Sequence, residues 1–463
     1  SVGRPRPVTE AERHQVRRRR VFYIPGFDPF HARRYRETYR SEGADQARIS
    51  GYALSLAPRA PGDVTGWAVR ARIDEAPNGA PRDGPRDGPR DGPRDGPRGG
   101  SQDGPRDAPR DGPDEARAGA VRETIRETLS EFDVLVWGDI VRHSMRHGIV
   151  ATYAQALRTA WIYLKSGTIF RLARLRKGPT IAALYPVWAL LAELLVALLC
   201  GILVDETLDT LGLHRAFRWA AATVATGAVL WLFRRLDGRL FAYYLMHDYA
   251  FSAGGDGRYP EALAARMKVF ATRIAAALAE DWDEVLVVGH SSGAHIAVSV
   301  LSDILRDAPL RPAPGRPALG LLTLGHVVPM VSFLPEARRL RGDLAFLSMR
   351  ADLTWVDVTA PGDGCTYALC DPVAVSGVAP KGQRWPLCVS AAFTQTLSAA
   401  RWRELRWRFF RLHFQYLCAF DRPGDYDYFR ITAGPLTLAR RYRGRAPSKS
   451  LLREPRNPFT ETA

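Results

Sequence analysis

Residues 283–295, Asp-Glu-Val-Leu-Val-Val-Gly-His-Ser-Ser-Gly-Ala-His, constrain this chain more than any other segment. An apolar run ends in Gly289-His290-Ser291-Ser292-Gly293 and passes at once into a second apolar stretch that reaches Leu305. The first run reads as a buried strand and the second as a helix, with a sharp turn between them. Small residues at Gly289 and Gly293 then have a reason, because side chains there would collide across the turn that lifts the Ser291 hydroxyl out of the sheet. A helix amino terminus behind Ser291 favours the negative charge of an oxyanion, which makes Ser291 a candidate nucleophile.

In this context the segment Val-Val-Gly-His-Ser-Ser-Gly-Ala-His resembles the nucleophile elbow of the α/β-hydrolases, especially lipases and esterases. The resemblance covers scattered segments from about residue 21 to 137 and from 259 to 416. It implies a mostly parallel sheet flanked by helices and a triad in the chain order Ser, acid, His. For the acid, residues 353–358 read as a strand that opens into the loop 359–364, and Asp363 lies where such a triad holds its carboxylate. Asp357, inside the strand, and Asp371, beside Pro372 in a turn-forming context, are the alternatives. For the base, His413 is the one histidine after His326, following a strand-like stretch at 407–410. The resemblance further implies an oxyanion hole from the backbone N–H groups of Ser292 and of Phe27, in the turn Pro25-Gly26-Phe27. That turn departs from the familiar His-Gly opening. His290 is read as shaping the elbow.

Elsewhere, residues 20–24 predict a strand, 31–40 a polar helix, and 51–57 with 66–73 a pair of strands in the same sheet. From 81 to 112 the tetrapeptide Pro-Arg-Asp-Gly recurs and offers nothing to bury, so a disordered insertion is expected over 79–117. A helix near 118–130 and a strand at 134–137 are expected next, then helix-like sequence to Lys177, and a further helix at 260–279.

Two apolar runs, 181–204 and 219–233, flank an acidic connection holding Asp205, Glu206 and Asp209. Arg171, Arg174, Arg176 and Lys177 precede them and Arg234, Arg235 and Arg239 follow. Run length and flank charge predict an inserted two-helix transmembrane hairpin, 178–236, with both flanks cytoplasmic. Glu193, in the first run, favours the opposing reading of buried core helices, and Arg218 is positioned to snorkel. The organisation expected is a basic segment 1–19 followed by one α/β domain, 20–463, interrupted by the two insertions.

A formal net charge of +16 over 463 residues, carried mostly by arginine, suits anionic lipid headgroups, including for the tail arginines Arg440, Arg441, Arg443 and Arg445. No zinc-finger spacing or RNP-like run accompanies it, so no nucleic-acid partner is expected. Five cysteines without a CxxC pair suit a reducing compartment, and the first residues lack the apolar run of a secretory signal. No metal constellation, GxxxxGKS or placed GxGxxG is present, and no cofactor is expected. The expected activity is hydrolysis of acyl esters at a membrane. A catalytically idle membrane interaction module is the alternative.

Overall fold

The computed structural model describes residues 15–59, 65–75, 127–145, 148–308 and 316–462. The Pro-Arg-Asp-Gly repeat, the insertion 79–117 and residues 1–14 lie outside the described residues.

The fold is α/β, built on a mixed eight-stranded sheet: β1 (Arg18–Ile24), β2 (Ala53–Pro58), β3 (Gly66–Arg72), β4 (Thr128–Val134), β5 (Glu284–His290), β6 (Ala318–Leu324), β7 (Thr354–Thr359) and β8 (Leu387–Ser390). Their order is β2-β3-β4-β1-β5-β6-β7-β8. The six from β4 to β8 run parallel, and β2-β3-β4 pair antiparallel at one edge. The strands expected at 51–57 and 66–73 do pair, with Ala53 opposite Arg72.

Both faces of the sheet are covered, which is why its central strands read as unbroken apolar runs. In β5, Leu286 and Val288 join a core that includes Tyr39, Trp67, Phe132 and Tyr416. Val285 and Val287 point into the other, with Phe270, Ile296, Leu301 and Trp355. Each such buried side chain contributes about 1.5–3 kcal/mol.

Helices α1 (Arg33–Ser50), α2 (Gly138–Ser144), α3 (Ile149–Lys165), α4 (Thr168–Leu175), α5 (Lys177–Thr210), α6 (Arg215–Leu240), α7 (Ala242–Ala253), α8 (Glu261–Leu278) and α9 (Gly293–Asp307) complete the frame that positions the pocket described below. Three expectations are corrected. Residues 128–130, expected in a helix, begin β4, where Thr128 and Ser130 are buried between two partner strands. The rest of that expected helix, 118–126, lies outside the described residues. The strand expected at 134–137 ends at Val134, and 135–137 lead into α2. The strand expected at 407–410 is absent, because Phe409–His413 form a short helix whose Phe410 ring packs on Phe241, 4.4 Å between centroids.

Helices α5 and α6 are long and apolar enough to cross a membrane, with mean hydropathies of 2.6 and 1.4 over their most apolar windows. They pack as an antiparallel pair: the Tyr185 hydroxyl donates to the Leu240 carbonyl, and Arg218 pairs with Asp205 and Asp209 at the far end. Arg218 is thereby held by carboxylates rather than extended to snorkel. On α5 the buried positions Pro186, Leu190, Glu193, Ala197 and Gly201 repeat at helical spacing, so one stripe faces protein. Outside it, Trp188, Leu195 and Leu203 are each more than half exposed, as are Phe217, Val224 and Trp231 on α6. Glu193 faces inward, toward the cluster of Ala156, Leu190, Tyr243 and Met246.

Behind the sheet, Arg441 pairs with Glu75, and Arg445 with Asp425 at 2.7 Å. Two of the tail arginines are thus engaged within the chain.

Candidate active site

Strand β5 ends at His290, and α9 begins at Gly293, so Ser291 occupies the turn between them. Its φ of +56° is left-handed, a conformation that costs a residue with a side chain and persists only where the surroundings impose it. They do so here: Ser291 N–H donates to the Leu324 carbonyl at 2.9 Å. A Cβ on Gly293 would lie 2.1 Å from the Ile24 oxygen, and one on Gly289 2.6 Å from the Gly293 oxygen.

Parallel β1 carries the turn Pro25-Gly26-Phe27 to the same edge of the sheet. A Cβ on Gly26 would stand 2.9 Å from the Ser291 Cβ and 3.4 Å from its Oγ, so only glycine lets this turn approach the serine. Trp137 Nε1 donates to the Pro25 carbonyl at 2.9 Å, and the Tyr244 hydroxyl donates to the Phe27 carbonyl. The backbone N–H groups of Phe27 and Ser292, both residues of the pocket wall, have no acceptor among the described residues.

Two strands across from β5, β7 delivers Asp363 in the loop beyond its end. His413 Nδ1 is 2.7 Å from Asp363 Oδ2. The carboxylate also accepts from the Tyr416 hydroxyl at 3.1 Å and, on Oδ1, from the Cys365 N–H at 2.9 Å. With Nδ1 donating to a carboxylate, Nε2 is the ring nitrogen free to accept a proton. Of the alternative acids, Asp357 accepts from Thr323 Oγ1 at 2.6 Å inside the sheet. Asp371 caps the short helix Pro372–Val375.

Ser291 and His413 line one pocket. Gly26, Phe27, Ser292, Tyr244, Asp248, Tyr249 and Phe410 are among its other residues. Both side chains border this pocket, but no hydrogen bond joins Ser291 Oγ to His413.

His290 holds His413 from behind. Its Nε2 lies 3.0 Å from the His413 carbonyl oxygen, which can only accept, so Nε2 carries the proton. Burial, with the His413 ring adding to it, lowers His290 to about 3 and keeps it neutral. Cys365, whose Sγ lies within 4.8 Å of ligand atoms of Asp363 and His413, is held well above the usual thiol range by burial and by Asp363. That donor set is a hydrogen-bonded imidazole and carboxylate with a neutral thiol beside them, and it does not fit a thiolate metal centre.

The structure therefore brings Ser291, Phe27, Ser292 and His413 to one pocket and Asp363 to His413. Sequence reasoning missed Tyr416, whose only signal is its place three residues after His413. It also missed the His290 bond and the whole contribution of α7. No protein-family model, curated protein or solved structure matches this chain.

Proposed function

We propose that this chain is a membrane-anchored serine hydrolase of the α/β-hydrolase type that cleaves acyl esters. The observation that carries the reading is the 2.7 Å contact between His413 Nδ1 and Asp363 on a pocket whose wall also holds Ser291 in a strained strand-to-helix turn. Buried imidazole–carboxylate pairs have structural uses, but here the imidazole also faces a cavity shared with a serine and two free backbone donors.

In this mechanism His413 Nε2 takes the Ser291 proton as Oγ bonds to the acyl carbonyl carbon, and Asp363 stabilises the imidazolium. The Phe27 and Ser292 N–H groups bind the oxyanion. Collapse breaks the ester C–O bond, the departing alkoxide takes the proton from His413, and an acyl-enzyme remains. Water, deprotonated by His413, then attacks that acyl carbon; the bond to Ser291 Oγ breaks, Oγ takes the proton back from His413, and the carboxylic acid leaves.

Membrane anchoring is supported by the exposed apolar faces of α5 and α6 and by the arginines at 171, 174, 176, 234, 235 and 239 that bracket them. Helix α7, a wall of the pocket, is separated from α6 by the single residue Phe241. A substrate leaving a lipid surface beside α6 would meet the pocket directly.

A fluorophosphonate probe tests this on the membrane-bound protein at equal folded amounts. Labelling should vanish in Ser291→Ala and fall at least about a hundredfold in rate in His413→Ala. Folded wild-type protein that neither labels nor turns over any member of an ester panel would leave the interaction-module reading in its place.

A further inference from the structure

Helix α7 turns one face to the Ser291 pocket, contributing Tyr244, Leu245, Asp248, Tyr249 and Ser252 at helical spacing. The carboxylate of Asp248 stands at the pocket wall without a protein partner. Several buried acids among the described residues are held by donors, Asp133 by Arg20, Arg59 and Arg273, Asp343 by Arg306, Glu284 by Arg19, whereas Glu193 on α5 is buried without one. Asp248 has no hydrogen bond or ion pair among the described residues. Arg258, which borders the adjoining cavity together with Asp248, is paired with Glu336 at 3.2 Å. A carboxylate without a protein partner, set among aromatic residues at a pocket wall, attracts a cation.

We propose that Asp248, with the rings of Tyr244 and Tyr249, forms a subsite for the quaternary ammonium group of an ester substrate. The choice of a quaternary group follows from the lining. The lining is mostly apolar, with Phe27, Tyr244, Tyr249, Met330, Phe410 and Phe414 beside Asp248, and such a wall suits the methyl groups of a quaternary ammonium better than the N–H donors of a primary one. As a statement about substrate, the inference rests on the hydrolase reading; as a statement about a cation site, it does not.

Burial raises the Asp248 carboxyl to about 7, with His413 pulling the other way. The other titratable groups that interact with it, Cys365, Tyr163, Tyr244 and Tyr249, are all shifted upward by burial and stay neutral. Only the ionised carboxylate attracts a cation, so affinity rises with pH through that value.

The test begins with binding, where catalysis plays no part. Full-length Ser291→Ala protein in detergent micelles is titrated calorimetrically with choline and with its uncharged isostere 3,3-dimethylbutanol. Choline should bind at least about tenfold more tightly at about pH 8, less so at about pH 6, and Asp248→Asn should abolish the difference. Equal affinity for the two ligands, or discrimination that survives in Asp248→Asn protein of wild-type thermal stability, overturns the proposal.

Turnover follows in the Ser291 protein, comparing kcat/KM for butyrylcholine and 3,3-dimethylbutyl butyrate. Asp248→Asn should collapse the preference for the charged ester; a variant that slows both esters by one factor places Asp248 behind His413 and overturns the subsite. Fatty-acid release from phosphatidylcholine but not phosphatidylglycerol vesicles identifies a lipid headgroup as the source of the ammonium, and cleavage of the choline ester alone identifies a soluble ester. Choline binding in a protein that resists fluorophosphonate refutes the hydrolase and keeps the cation site.

Discussion

Asp363 receives three donors, from His413, Tyr416 and the Cys365 backbone, and each fixes the carboxylate that orients the proposed base. Tyr416 does two jobs, because its hydroxyl oxygen also accepts from the Ala360 N–H at 2.9 Å and so pins the start of the loop that carries Asp363. Gly26 is the residue on which the proposed oxyanion turn depends. Gly26→Ala places a methyl carbon 2.9 Å from the Ser291 Cβ, and neither backbone nor serine can yield without moving the proposed nucleophile or its donors. Fluorophosphonate labelling of this variant should slow by about a hundredfold, the scale of a misplacement near 1 Å, while its circular dichroism stays that of the wild type. Labelling at the wild-type rate would remove the Pro25-Gly26-Phe27 turn from the mechanism.

Among the elements, α5 and α6 depend on each other most closely. A Cβ on Gly201 would sit 2.3 Å from Thr226 Oγ1 and 3.1 Å from the Ala222 carbonyl oxygen, so the two helices meet backbone to backbone at this point. Gly201→Ala should destabilise the protein by about 1–3 kcal/mol, as overpacking does, and Thr226→Ala should recover part of that by removing the nearest obstacle. Thermal unfolding in detergent of the two single variants and the double variant measures the coupling. Strictly additive effects would mean the helices do not touch here. The same close approach explains why the second helix carries so little apolar surface inward: none of its side chains is buried, and the contact is made through small groups.

At the scale of the whole molecule, a buried ion pair ties the central strands to the segment 434–438. Arg19 and Glu284 stand opposite each other on β1 and β5, with 2.6 Å between Nε and Oε2, and both are fully buried. The guanidinium donates onward to the Gly434 and Leu436 carbonyls, and Glu284 Oε1 accepts from Leu438 N–H, which straps the carboxyl-terminal segment over the start of the central strands. Glu284→Ala strands a buried cation and should cost about 3–5 kcal/mol. Denaturant unfolding measures it, and a cost under about 1 kcal/mol would show that the strap is held by other contacts.

Much of the frame was legible because it is written locally. The elbow around Ser291, the apolar runs of α5 and α6, and the strands β1, β2, β3 and β5 each declare themselves through periodicity or a turn residue within a dozen positions. His413 and Asp363 were singled out by chain order and by place after a strand, and the contact between them belongs to the tertiary structure. What the pattern concealed has a common physical cause. β6 and β8 were passed over, β4 was shifted, and the helix Phe409–His413 looked like a strand, because their environments are set by neighbours far away in the chain. The proximity of Gly26 to Ser291, the grip of Tyr416 on Asp363 and the isolation of Asp248 likewise join residues scores or hundreds of positions apart. A short-range pattern encodes which face of an element is apolar. Only the packed chain decides which other residue meets that face, and in this protein that meeting decides what surrounds the serine.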